Sequence, residues 1–145
     1  DQQNRLITLP KELVKNNTEH IFPYGQHTAD LLANLARDND FLFAFPFPNK
    51  PFDSWSRSKS ELDKVCGIAP GFTHHDLRRT FATTMGRLRV APHVIEHLLN
   101  HKQPKIAAIY NRWQYIDEQR EALRTYDQFL TTHLSRASQS TTVAA

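Results

Sequence analysis

Two apolar-rich segments lie early in the chain on either side of a polar run, Arg5 to Leu9 (RLITL) and His20 to Phe22, and both read as short strands. The polar run Lys15 to Glu19 between them holds the turn formers Asn16 and Asn17, so the strands are expected to pair as an antiparallel hairpin. After Pro23 and Gly25 the spacing becomes helical. A helix is predicted from about His27 to Arg37, with Ala29, Leu32 and Leu35 or Ala36 inward. Phe41 to Pro51 (FLFAFPFPNKP) carries three prolines, which rule out a regular helix; it reads as an extended piece and a loop whose phenylalanines pack on the core. Ser54 is placed to cap a helix running to about Cys66, ended by Gly67 and Pro70.

Thr73 reads as the next helix cap, with Asp76 in the capping-box position, where its charge also suits the helix dipole. That helix carries a core stripe at Leu77, Phe81, Met85 and Leu88. Ala91-Pro92 opens a shorter helix with Val94, Ile95, Leu98 and Leu99 inward, stopped by Asn100, and Pro104 begins another through Trp113. A last helix from about Asp117 to Leu134 buries Leu123, Tyr126, Leu130 and Leu134, and the small polar residues 135–145 predict a disordered tail. There are no internal repeats. The expected fold is mainly α with a small antiparallel sheet at its start, an α+β arrangement forming one domain over residues 1–134.

Composition changes this picture little: 145 residues, 39% of them hydrophobic, suffice for one core. No stretch approaches the roughly 18 to 20 apolar residues of a membrane helix, and the polar start Asp1 to Arg5 is unlike a signal peptide, which predicts a cytoplasmic protein. Cys66 is the sole cysteine, so an internal disulfide and a thiolate zinc cluster are excluded, and it is expected to be an inert packing residue. Charge is more informative. The chain is +3 overall, but Gly71 to Arg112 contains seven basic residues (Arg78, Arg79, Arg87, Arg89, Lys102, Lys105, Arg112) against Asp76 and Glu96, leaving the remainder slightly acidic. A clustered basic segment suits a partner made of phosphates, because binding releases condensed counterions; a solvated basic face has the same composition.

Three features carry candidate chemistry. His75 and Arg78, three apart on one helix, are about 60° apart in projection and can face one phosphate together. His93-Val94-Ile95-Glu96-His97 matches the H-x-x-E-H zinc-protease pattern, an alternative that a chelator would inactivate. Tyr110 falls on a helical stripe with Ile106, Ile109 and Trp113, so periodicity alone makes it a core tyrosine.

The segments Thr73 to Thr84 (THHDLRRTFATT), Leu98 to His101 (LLNH) and Tyr110 to Arg112 (YNR) together resemble the signature of the tyrosine recombinases of the phage-integrase family, in the same order and spacing. Arg78 precedes His101 by 23 residues and His101 precedes Tyr110 by nine. Lys15 stands in the hairpin (VKNNTEHIFP) where that family places a catalytic lysine, and LLNH and YNRW are most like integrases of prophages and genomic islands. The resemblance implies part of the DNA breaking-rejoining catalytic fold and site-specific recombination of double-stranded DNA at attachment sites. It makes Tyr110 the nucleophile that forms a 3′-phosphotyrosyl link, with Arg78 on the non-bridging oxygens, Lys15 protonating the 5′ oxygen, His75 as general acid/base and His101 donating to the phosphate. It implies no cofactor and no metal, and four subunits acting on two duplexes. The family's first catalytic arginine has no counterpart here, since neither Arg5 nor Arg37 fits it. The chain is therefore expected to be a fragment that lacks the first strand of the catalytic sheet, possesses little cleavage activity alone and is monomeric when isolated. A non-catalytic DNA-binding module and a type IB topoisomerase are the remaining alternatives, and Tyr115 is the rival nucleophile.

Overall fold

Two short strands open the chain, β1 (Leu6–Leu9) and β2 (His20–Pro23), followed among the described residues by five helices: α1 (Gln26–Ala33), α2 (Trp55–Cys66), α3 (His74–Arg87), α4 (Pro92–Leu98) and α5 (Ile116–Thr142). The computed structural model describes residues 1–35, 41–43, 50–67, 72–101 and 113–142, with side chains through residue 136. The mainly helical architecture with one small antiparallel sheet is the one the sequence predicts. Leu6 lies opposite Pro23 and Leu9 opposite His20. The connection between the strands contains a 3-10 turn at Lys11–Leu13 and a left-handed Asn17 (φ 53°), a conformation that asparagine tolerates better than most residues.

The N-terminus of α1 is capped from a distance. Its own N-cap, Gly25, has no side chain to offer, and the Asp127 carboxylate of α5 accepts the Gln26 N–H at 2.5 Å and the His27 N–H at 3.4 Å. One turn further along α5, the Thr131 hydroxyl stands 3.0 Å from His27 Nε2. A β-carbon at position 25 would collide with the Asp127 carboxylate, so the close approach requires glycine. The helix stops at Ala33, short of the predicted Arg37. Asn34 turns the last carbonyls inward, donating its N–H to Leu31 O at 3.2 Å and its side-chain amide to Asp30 O at 2.8 Å.

The core lies where α3, α4 and α5 meet. Met85, Val94, Ile95, Leu99 and Ala122 are buried, and Phe81, Ala82, Val90, Leu98, Leu123 and Tyr126 pack around them. Phe81 meets Tyr126 edge-on at 5.0 Å between ring centroids, an aromatic geometry favoured by the ring quadrupoles. The predicted stripe of α3 holds at Phe81 and Met85, but Leu88 falls just past the helix as its C-cap, and Leu77 is 56% exposed, because it stands one turn before the first residue of α3 in the core. Leu134 is likewise 56% exposed, beyond the part of α5 that the other elements cover.

Four other expectations differ from the structure. Phe41 and Phe43 are exposed instead of packed on the core; Phe43 O accepts the Phe52 N–H at 2.9 Å, and the Phe52 ring packs on Trp55. Ser54 does not cap α2, since its hydroxyl bonds the neighbouring Asp53 carboxylate at 3.0 Å. Cys66, the last residue of α2 before left-handed Gly67, is exposed. Finally, α5 continues through Thr142, past its predicted end near Leu134: residues 135–142 contain no glycine or proline to break it, and Ser135 Oγ donates to Thr131 O at 2.8 Å. The predicted helix from Pro104 falls on residues outside those described, and Trp113 at its expected end is not helical.

Removing the distant cap should weaken the fold measurably. Asp127→Ala is expected to cost about 1–2 kcal/mol, the usual range for loss of a helix cap, and chemical denaturation should show it as a lower midpoint with an unchanged slope.

Candidate active site

Three elements converge on the C-terminal end of α4. The helix leaves its last carbonyls without partners of its own, as every helix does, and other parts of the chain supply them. Arg78 of α3 reaches across with its guanidinium, Nη2 donating to Leu99 O. The half-buried ring of His20, on β2, lies near the Leu98 carbonyl, which favours its protonated form. Asn100 then adopts the left-handed conformation (φ 52°) that ends the turn, and its side-chain oxygen accepts the Asn16 amide at 3.1 Å. Asn16 directly follows Lys15, and Asn100 directly precedes His101.

The position of Arg78 follows from the start of α3. The Asp76 carboxylate accepts the Thr73 N–H at 2.9 Å and the Thr73 hydroxyl at 2.6 Å, the capping box predicted from the sequence. These bonds, the hydroxyl's first and then the backbone N–H, hold the Asp76 carboxyl below its usual range, with a smaller contribution from Arg79. Asp76 also pairs with Arg79 at 3.2 Å, so Arg79 is held on the solvent side while Arg78 turns toward α4. A guanidinium has five N–H donors, and the Leu99 carbonyl engages only part of that fork.

Of the residues singled out in the sequence, the structure therefore brings Arg78, His101 and the turn carrying Lys15 to one end of α4. Lys15 is exposed. His75 is exposed on the first turn of α3, next to His74, whose ring faces Trp55 edge-on at 6.2 Å. Tyr110 lies outside the described residues, as do Lys102, Lys105 and Arg112.

The H-x-x-E-H pattern is divided between two tasks. Glu96 turns to His101, with Oε2 2.6 Å from Nδ1. His93, exposed, and His97, partly buried, both lie against the Tyr115 ring, at centroid distances of 4.7 and 5.1 Å. Tyr115 is itself left-handed (φ 54°), and its turn is fastened to α5: Gln119 N donates to Tyr115 O at 2.8 Å and Gln119 Nε2 to Gln114 O at 2.6 Å. Among the described residues no group of three His, Cys, Asp or Glu stands close enough to hold a metal ion. The residues that sequence reasoning missed are Asn16, Asn100, Gln119 and His20. Their sequence signals, such as the turn-forming Asn16, say nothing of partners up to 84 residues away.

Burial and the approach of other cations make His20 and His97 poor proton acceptors. His20 is held below the ordinary imidazole value by burial first, then by His97 and Arg78, against the opposing influence of the Leu98 carbonyl; His97 is lowered by burial and then by His93.

Residues 1–116 match the phage integrase family, and the chain belongs to that family. It is 30% identical over 128 residues to the prophage integrase IntZ of Escherichia coli (strain K12), a match covering 86% of this chain and 31% of that protein. It is 25% identical over 134 residues both to the prophage integrase IntS of the same organism and to the integrase of Shigella phage Sf6, covering 90% of this chain and 35% of each. The chain thus spans about a third of the length of these relatives. No solved structure matches it. Among the described residues no helix is long and apolar enough to cross a membrane.

The two lowered histidines set a direction for stability against pH. A histidine whose folded value lies below its unfolded value near 6.5 leaves the unfolded state holding more protons, so stability must fall as pH drops through that value toward the folded one. Denaturation at successive pH values should show this decline, and His20→Gln/His97→Gln should flatten it.

Proposed function

We propose that this chain is the catalytic portion of a site-specific DNA recombinase that breaks and rejoins strands through a 3′-phosphotyrosyl intermediate. The observation that carries this reading is the meeting of Arg78, His101 and the Lys15 turn at one end of α4, in a chain of the phage integrase family. The Tyr110 oxygen attacks the phosphorus as the bond from phosphorus to the 5′ oxygen breaks. Lys15 gives its proton to that departing oxygen, and His75 takes up the phenolic proton. The Arg78 donors outside the Leu99 bond and the His101 ring stabilise charge on the non-bridging oxygens. The phosphotyrosyl link conserves the energy of the broken bond, so a 5′ hydroxyl from a second strand can reverse the step and complete the exchange. The basic run from Arg78 to Arg112 then follows the DNA backbone, and full exchange engages four protomers on two duplexes.

Tyr115 makes a poor alternative nucleophile in this reading, because its ring rests against His93 and His97. The test uses the full-length protein, a nicked suicide substrate carrying its attachment site, and a denaturing gel with chelator present. Wild type should yield a covalent protein–DNA band, Tyr110→Phe none, and Tyr115→Phe a band. Arg78→Lys, which keeps the charge and loses the fork, should slow band formation about 10²- to 10³-fold, as for loss of one preorganised oxyanion donor. A band persisting in Tyr110→Phe would move the nucleophile elsewhere. No band from wild type would favour a DNA-binding module without catalysis.

A further inference from the structure

Glu96 is the acidic residue of α4, and nothing in the reaction as written uses it. It holds His101 twice. Its backbone carbonyl accepts the His101 N–H at 3.0 Å, and its side-chain Oε2 stands 2.6 Å from His101 Nδ1. The left-handed turn at Asn100 makes this possible by folding the chain back on the last turn of the helix, so that a residue five positions earlier reaches both main chain and ring. The Asn16 amide in turn secures Asn100.

We infer that Glu96 is a positioning residue for His101, fixing which ring nitrogen meets the scissile phosphate. This inference rests on the reading of His101 as a phosphate-contacting group. With Oε2 as its acceptor, Nδ1 is the protonated nitrogen on the Glu96 side, and Nε2 is the atom presented to substrate. The His101 side chain is about half exposed, at 45%, so without this acceptor its ring would sample several rotamers and both tautomers. Restricting it beforehand removes that ordering cost from the cleavage step. An ordinary surface ion pair has a different signature: it contributes little to stability and nothing to reaction rate.

A double-mutant cycle in the full-length protein separates the two, using single-turnover cleavage of the same suicide substrate and thermal unfolding. Glu96→Ala should slow cleavage about 10- to 100-fold, the range for removing a residue that orients a ligand or catalytic group, while the unfolding midpoint stays in place. Glu96→Gln should retain more activity than Glu96→Ala, because its carbonyl still accepts the same N–H. In a His101→Ala background, Glu96→Ala should cause no further loss. Wild-type rates in Glu96→Ala, or equal losses with and without His101, would overturn the positioning role while leaving the recombinase reading intact. Failure of the wild type to form covalent product would instead overturn that reading, and this inference with it.

Discussion

The orphan carbonyls at the end of α4 are the constraint around which the described part of this chain is arranged. A seven-residue helix can bond few of its own carbonyls, and the remainder need donors. Arg78 comes from α3, and Asn16 reaches the asparagine that terminates the helix. The negative end of the helix dipole also favours a guanidinium there. The bonds that satisfy this helix therefore also gather the residues proposed to handle phosphate, and one local shortage of donors serves both folding and site assembly.

The opposite side of α4 faces inward. Val94, Ile95 and Leu99 join Met85 and Ala122 in the core, so the helix is anchored by its apolar stripe while its polar residues reach outward to His101 and Tyr115. Those two residues flank the interval 102–112, which contains Tyr110. His93, Glu96 and His97 thus hold the chain on either side of the proposed nucleophile, although their spacing alone would suit a zinc enzyme equally well.

Local chemistry was legible in the sequence, and long-range chemistry was not. The hairpin, the Thr73–Asp76 capping box and the inward residues of α4 follow from spacing within a few positions, and the structure reproduces them. The outward turn of Leu77 and Leu134 was not readable, because periodicity gives a helix face but not where its neighbour begins or ends. The early end of α1 depends on Asn34 bonding its own preceding turn, a choice that competes with further helix and leaves only a faint mark in composition. In the site, Arg78, His101 and Lys15 were marked by resemblance, whereas Asn16, Gln119 and His20 have roles that exist only once distant segments have met.

The Asp127 cap joins residues a hundred positions apart, and this has a consequence for how the chain comes to be folded. As the polypeptide emerges during synthesis, α1 is complete long before the carboxylate that satisfies its first amides has been made. Until α5 arrives, Gln26 and His27 have only water for partners, and an eight-residue helix in water is marginal by itself. The first turn of α1 is thus completed late, waiting on the final helix, and native contacts of such wide sequence separation slow the search for the folded state.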